Sequence, residues 1–279
     1  MVTPVTTSPA SGHRSSELRR HSSWSVPKWA KGVCGFLAAA LLWELLRLIH
    51  VLPPSWAPSV IDIGEGMFAG LANGTLTVPI KDTLTVWMLG LLIAVAIGIT
   101  WGIAIGTNRI VAACSRVVVS FLRPIPSVAL IPVAILAAGL GLEMVLILVT
   151  FAAIWPVLFN AMYGVRDIPE QYLDTSKALG HSRTATLFRV TIVAALPSIT
   201  TGIRISAGIA LVVTMSTELI TGIGGLGGYV LNSRISGQIA NAYAGLLVGG
   251  ILGVLVNLVF QLVQRRLLAW SPDNRAVDE

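Results

Sequence analysis

Long stretches without any charged side chain constrain this sequence more than any other feature. Residues 83–108, 144–165 and 235–264 contain no Asp, Glu, Lys or Arg, and each is predominantly apolar. An α-helix rises about 1.5 Å per residue, so about 20 apolar residues cross the hydrocarbon core of a bilayer. Each stretch is long enough to do so, and the pattern therefore predicts membrane-spanning helices.

Charge content and charge placement indicate the same class of protein. Charged residues make up 11% of the 279 residues, whereas soluble domains carry about 25%. The net charge of +6 would suit nucleic acid, but the basic residues cluster in short segments between apolar runs, as at the cytoplasmic face of membrane proteins. We therefore expect an all-α integral membrane protein with about six transmembrane helices and no affinity for nucleic acid.

Three further apolar segments complete the expected helices: residues 32–52, 117–142 and 194–218. The second contains three prolines within nine residues, which excludes a regular helix and predicts a broken one that lines a cavity. Glycines spaced by multiples of four in the first uncharged stretch predict close contact with another helix: Gly90, Gly98, Gly102 and Gly106.

Basic residues are distributed unevenly between the two sides of the predicted membrane. The outer segments hold Lys81 and Arg234. Positive charge concentrates on the cytoplasmic side of membrane proteins, so both termini and the long polar loop are expected there. The inner segments hold many more basic residues: Arg14, Arg19, Arg20, Lys28, Lys31, Arg109, Arg116, Arg166, Lys177, Arg183, Arg189, Arg265, Arg266 and Arg275.

Residues 167–193 form the longest polar segment between apolar runs, located between the fourth and fifth predicted spans. We expect two short helices here. Asp167 is placed to cap the first helix, and Gly180 is placed to end it because glycine adopts left-handed backbone readily. Ser182 is placed to cap the second helix.

This polar segment resembles the cytoplasmic coupling loop of permease subunits in binding-protein-dependent ABC importers. That loop has a Glu-Ala-Ala start and a glycine four residues after the second alanine. Here Asp174, Thr175 and Ser176 occupy the first positions, and Gly180 has the expected spacing. Further motifs, over roughly residues 80–270, resemble the nitrate/sulfonate/taurine branch of the family: residues 122–126, 139–143, 202–204 and 225–227.

The resemblance implies a set of contacts with an ATPase in the coupling loop, at Asp174, Thr175, Ser176, Lys177, Ala178, Gly180 and His181. It also implies partners: a second copy of the permease, two cytoplasmic ATP-binding subunits that use ATP and Mg²⁺, and an extracytoplasmic solute-binding protein. The expected location is the bacterial inner membrane. The sequence has no nucleotide-binding loop, metal-ligand motif or nucleophile elbow, so we expect no enzymatic activity, cofactor or metal in this chain.

Domain organisation follows from composition and resemblance together. Residues 1–27 are expected to be a disordered basic cytoplasmic tail, and residues 28–80 a first transmembrane helix with an outer amphipathic connection. Residues 81–270 form the expected permease core, and residues 271–279 a second cytoplasmic tail. The glycine run at 221–228 lacks the Lys-Ser or Lys-Thr of a phosphate loop, and we interpret it as flexible outer-face backbone near a gate or a binding-protein contact.

Five polar residues in or near the spans are candidates for the solute pathway, because charges inside a membrane are rare and often functional: Arg123, Ser127, Asn160, Arg204 and Glu218. A small anion, such as a sulfonate or nitrate, would suit the two arginines, and the expected solute is of the sulfonate, nitrate or taurine type. The alternative is that both arginines extend to the inner headgroups. The expected function is ATP-driven import by alternating access. A permease for a vitamin precursor or aromatic acid, and a channel or scaffold without ATP coupling, are the alternatives.

Cys34 and Cys114 both lie in or beside apolar segments. Free cysteine is among the most buried residue types. We therefore expect two buried, inert thiols rather than a disulfide or a metal site.

Overall fold

The computed structural model describes residues 28–53 and 56–269, and every regular element within them is helical. The predicted tails at 1–27 and 271–279 lie outside the described residues. A 3₁₀ turn, Ser127–Leu130, precedes α5, and a π-helical turn, Leu187–Thr191, joins α8 to α9. In chain order the helices are α1 (Lys28–Leu48), α2 (Val60–Ala72), α3 (Thr77–Thr107), α4 (Arg109–Leu122), α5 (Ile131–Ala138), α6 (Leu142–Arg166), α7 (Glu170–Ala178), α8 (Arg183–Thr186), α9 (Ile192–Thr221), α10 (Gly225–Ile235) and α11 (Ile239–Leu267).

Four helical segments in the described part of the chain are long and apolar enough to cross a membrane: α3, α6, α11 and the stretch Arg183–Ile235 built around α9. The bent pair of α4 and the 3₁₀ turn with α5 makes a fifth if it counts as one span. The all-α membrane fold is therefore confirmed. The count of six stays a prediction, because α1 is not among these segments.

The described residues divide after Leu45 into two units, the first of which holds α1 up to that residue. In the first unit, α1 exposes Phe36, Leu37 and Leu41, as expected for a helix in contact with lipid. Cys34 in this unit and Cys114 on α4 of the second are both exposed. The expectation of buried thiols is therefore wrong, because each cysteine lies on an outward helix face.

The glycine repeat of α3 forms its contact with α6. An added Cβ on Gly98 would lie 2.8 Å from Val157 Cβ, and one on Gly102 would lie 2.5 Å from the Leu158 carbonyl oxygen. Gly90 and Gly106 face α6 in the same way. The predicted close contact is confirmed, since only glycine lets the two backbones approach this closely.

Side-chain hydroxyls connect α6 to α9. Ser206 Oγ donates to the Ala153 carbonyl oxygen at 2.6 Å, and Ser198 Oγ donates to the Asn160 carbonyl oxygen at 2.8 Å. In these contacts the residue number falls along α6 as it rises along α9, so the two helices are antiparallel. On α3 and α6 the numbers rise together, so those two helices are parallel.

The parallel arrangement of α3 and α6 determines the path of residues 108–141, which must return the chain from the end of α3 to the start of α6. They do so as a broken helix. After α4 ends at Leu122, the 3₁₀ turn and α5 continue at 82° to it. The predicted proline-induced break is therefore confirmed.

The second unit presents two chemically different ends. We call the end where α3 and α6 terminate and α9 begins the basic end. Gln264 Nε2 on α11 donates to Thr201 Oγ1 on α9 at 3.2 Å, which places the last turns of α11 toward the same end. Many basic residues gather there: Arg109, Arg116, Arg166, Lys177, Arg183, Arg189, Arg265 and Arg266.

Candidate functional site

The polar segment between α6 and α9 folds at the basic end as two short helices joined by a glycine turn. Gly180 has φ +74° and follows α7, while the His181 N–H donates to the Ser176 carbonyl oxygen at 3.2 Å. Ser182 Oγ accepts the Ala185 N–H at 3.3 Å and caps α8. Both predicted roles are confirmed. The predicted cap at Asp167 is wrong, because Asp167 ends α6 and Pro169 precedes α7.

A buried hydroxyl holds the two short helices together. Ser176 is 2% exposed, and its Oγ lies 3.2 Å from His181 Nδ1 and 2.9 Å from Thr186 Oγ1. Since Thr186 is the last residue of α8, this cluster fixes α7 against the start of the helical stretch that becomes α9. Ser176 and the half-buried His181 therefore act inside the loop.

The other predicted coupling residues are exposed: Asp174, Thr175, Lys177, Ala178 and Gly180. Lys177 Nζ donates to Asp174 Oδ1 at 2.9 Å. Sequence reasoning missed three large apolar side chains beside them, Tyr172, Leu179 and Phe188, which are 55%, 70% and 66% exposed.

The loop is helically continuous with the following span. The π-helical turn Leu187–Thr191 lies between α8 and α9 with no break in the chain of helical residues. Such turns inside α-helices occur frequently at functional sites. The fifth span expected at residues 194–218 lies within this continuous helical stretch, which begins at Arg183.

At the opposite end of α9, Glu218 is enclosed by the start of α10. Its carboxylate Oε2 accepts the Thr83 hydroxyl at 2.8 Å and the Gly227 N–H at 3.1 Å. Thr83 Oγ1 in turn accepts the Leu226 N–H at 2.8 Å. Leu226 and Gly227 are in the first turn of α10, where unpaired N–H groups and the helix dipole favour a carboxylate.

The glycine run closes around this carboxylate. Gly225 has φ +61°, and a Cβ added to it would overlap the Glu218 carboxylate group. A Cβ on Gly227 would lie 2.6 Å from Glu218 Cβ. The interpretation of this run as flexible backbone is therefore wrong, because Gly225, Gly227 and Gly228 are buried in tight packing.

Arg204 lies near mid-length of the central helices. On one side of it in α9, an added Cβ on Gly202 would lie 2.7 Å from Asn160 Cβ. On the other side, Ser206 bonds to Ala153 of α6. Arg204 is half-buried. A guanidinium at mid-depth is costly in a bilayer unless it faces protein or water.

Arg123 ends α4 and places its guanidinium carbon 4.5 Å from the centre of the Phe159 ring, one residue before the Asn160 that packs against Gly202. It lines a pocket of about 230 Å³. Two arginines that sequence reasoning did not select, Arg116 and Arg166, line the same pocket. No local sequence pattern predicts that these two arginines lie close together, because they come from different helices.

The five predicted pathway residues do not form one cluster. Asn160 Nδ2 donates to the Pro156 carbonyl oxygen of its own helix at 2.8 Å, and Ser127 is half-buried at the start of the 3₁₀ turn. Glu218 is sixteen residues beyond Gly202, which is about 24 Å along α9. Their common role in a pathway therefore stays a prediction. Among the described residues, no three His, Cys, Asp or Glu side chains converge to hold a metal ion.

Comparison with known proteins gives a consistent result. Residues 94–270 match the family described as "Binding-protein-dependent transport system inner membrane component". The chain is 29% identical to the taurine transport system permease protein TauC of Escherichia coli, over 88% of this chain and 92% of that protein. It is 29% identical to the nitrate import permease protein NrtB of Synechocystis, over 79% and 84%, and 28% identical to the bicarbonate transport system permease protein CmpB of Synechocystis, over 84% and 86%.

Among solved structures, an inward-facing conformation of the MetNI methionine ABC transporter matches 67% of this chain and 93% of its own chain. The TM-score is 0.57 at 21% sequence identity. At that identity the match shows a shared fold alone.

Proposed function

The chain belongs to the family of binding-protein-dependent transport system inner membrane components, it is the permease subunit of an ABC importer, and we propose that this importer carries a small anionic solute into the cytoplasm. The solute is handed over by an extracytoplasmic binding protein. Separate ATPase subunits supply the energy, and two copies of this chain enclose the pathway, as closed two-fold symmetry is usual for identical subunits.

The position of Arg204 carries the proposal for an anionic solute. A guanidinium is permanently charged and presents planar N–H donors that match the oxygens of an oxyanion. Located at mid-length of α9, Arg204 offers these donors where a passing solute loses its water. The printed names of the relatives support the same class, since taurine carries a sulfonate group and the others transport nitrate and bicarbonate.

Basic residues are concentrated at one end of the second unit, and this asymmetry indicates how an ATPase would couple to the permease. The positive-inside rule assigns the basic end to the cytoplasm, together with both termini. The exposed side chains of α7 and its glycine turn then face an ATPase. Because Ser176 fixes α7 to α8 and α8 continues into α9, a push on α7 would be delivered to the helix that carries Arg204. Rigid-body rocking of the two permease copies would alternate access.

Gly180→Asp tests the coupling. Because an added Cβ at Gly180 meets nothing within 4 Å and Asp accepts left-handed backbone better than most residues, the variant should insert normally. We expect ATP hydrolysis to persist while uptake falls at least tenfold, since a new charge lies at the joint. Both rates are measured in vesicles that contain permease, ATPase and binding protein, with labelled taurine, nitrate or bicarbonate and a neutral solute of similar size.

Gly237→Asp is the matched control. Gly237 has the same positive φ (+74°), open space around an added Cβ and the same pair of backbone hydrogen bonds after a helix end, but it lies between α10 and α11 at the opposite end, so its variant should transport normally. Wild-type uptake by Gly180→Asp at equal membrane abundance would contradict the coupling role. Flux without ATP would indicate a channel, and preference for the neutral solute would contradict an anionic substrate.

A further inference from the structure

The pocket beside Arg123 is lined by one kind of charge. It lies between the last turns of α3, the length of α4 and the last turns of α6, at the basic end. Arg116, Arg123 and Arg166 line it, and all three residues are exposed. None of the residues that line this pocket is an Asp or a Glu. Three positive charges without a carboxylate repel one another, and a bound anion would remove that repulsion.

Two of the arginines are held in place by groups that leave their charge unneutralised. Arg123 stacks over the Phe159 ring, and Arg166 Nη2 donates to the Ile105 carbonyl oxygen at 3.3 Å. A guanidinium has five N–H donors, so each retains donors for a ligand. In the part of the chain that the structure describes, no carboxylate lies within ion-pair distance of these two groups.

The wall of the pocket adds hydroxyl groups on a fixed support. Ser115 and Ser120 line it, and Trp101 Nε1 donates to Ser115 Oγ at 2.9 Å. Ser115 is 9% exposed, so its hydroxyl has a defined position. The volume of about 230 Å³ is below the roughly 300–1,000 Å³ of pockets for drug-sized ligands. A small ligand group therefore fits better than a large one.

We infer that this pocket binds an oxyanion, such as sulfate or a phosphate group, through Arg116, Arg123 and Arg166. Arginine recognises such groups with paired N–H donors. The same chemistry is offered by a soluble oxyanion and by the phosphate of an anionic lipid headgroup. The inference concerns equilibrium binding and stands without the proposed transport function.

The test is a calorimetric titration of the purified full-length chain with inorganic sulfate, in nanodiscs of phosphatidylcholine and in nanodiscs of phosphatidylglycerol. We expect saturable binding that Arg116→Gln and Arg123→Gln each weaken about tenfold or more, because each removes a charged hydrogen-bonding partner. Arg109→Gln is the matched control. It removes an exposed arginine of the same helix that does not line the pocket, and it should leave the affinity within twofold.

Arg116→Gln keeps the test decisive if Arg123→Gln disturbs folding through loss of the Phe159 contact. Equal sulfate binding in both nanodiscs would identify a soluble oxyanion as the ligand. Sulfate binding in phosphatidylcholine that phosphatidylglycerol abolishes would identify the lipid phosphate, with the same arginine dependence. Absence of saturable binding, or equal loss in Arg109→Gln and Arg116→Gln, would overturn the inference.

Discussion

Glycines with positive φ lie before and after the helical stretch that contains α9, and they serve different physical purposes. At the basic end, Gly180 turns the chain with φ +74°, and an added Cβ would meet nothing within 4 Å. At the other end, Gly225 turns it with φ +61°, and an added Cβ would overlap the Glu218 carboxylate. The first position requires only a backbone conformation, whereas the second requires both the conformation and the space.

The α9–α10 junction is therefore fixed by packing, whereas the loop at the basic end leaves room for a partner. The α9–α10 junction has a buried carboxylate, a buried hydroxyl on α3 and backbone N–H groups that satisfy one another. The loop at the basic end is fixed internally by Ser176 but presents exposed side chains outward. A helix anchored at one end and exposed at the other can transmit force from a partner without unfolding.

The largest expected effect separates the two glycines directly. Gly225→Ala should lower the free energy of unfolding by about 1–3 kcal/mol for left-handed backbone and by a further 1–3 kcal/mol, roughly, for overpacking against Glu218. Gly180→Ala should show the first of these costs alone. Denaturation midpoints of both variants, measured in the same detergent, give the comparison. Equal losses would contradict the distinction between the two junctions.

Two hydrogen bonds to the Glu218 carboxylate should make the next largest contribution to stability. Glu218→Ala leaves the Thr83 hydroxyl and the Gly227 N–H without their acceptor, and each unpaired buried group costs about 1–3 kcal/mol. Glu218→Gln retains an amide oxygen that can accept both hydrogen bonds, so its loss in unfolding free energy should be clearly smaller. The same denaturation assay measures both.

A Thr83→Val variant checks the assignment of this loss. Combined with Glu218→Ala, it should lower the free energy of unfolding by less than the sum of the single changes, because the two residues share one hydrogen bond. Strict additivity would mean that Glu218 contributes through packing alone. If Glu218→Gln were as damaging as Glu218→Ala, the carboxylate charge, and not its hydrogen bonds, would hold the junction.

Sequence reasoning succeeded where the structural cause is local. The apolar spans, the broken proline segment, the turn at Gly180 and the cap at Ser182 each depend on neighbouring residues, and each is confirmed. The cap at Asp167 failed because α6 extends to Arg166. Its final hydrogen bond, from the Asp167 N–H to the Tyr163 carbonyl oxygen, already assigns that residue to the preceding helix.

The site residues were harder to predict because their partners are distant in sequence. The hydroxyl that pairs with Glu218 belongs to Thr83, 135 residues earlier. Arg166 joins Arg116 and Arg123 only because α3 and α6 are parallel and α4 packs beside them. A charge at one position carries no information about which helix faces it, so these clusters required the three-dimensional arrangement.

The smallest expected effect is on stability, and it tests whether the exposed side chains of the loop stabilise the permease itself. Lys177 and Asp174 form an ion pair at 2.9 Å, but their side chains are 73% and 69% exposed. Exposed ion pairs contribute about 0–1 kcal/mol, so Lys177→Ala and Asp174→Ala should each leave the denaturation midpoint nearly unchanged in the isolated permease. Binding to the ATPase, measured by co-purification, should weaken in both variants, because these side chains are available to a partner. Loss of stability comparable to that of Glu218→Ala would show that the loop is held as firmly as the α9–α10 junction, and the contrast between the two ends of α9 would fail.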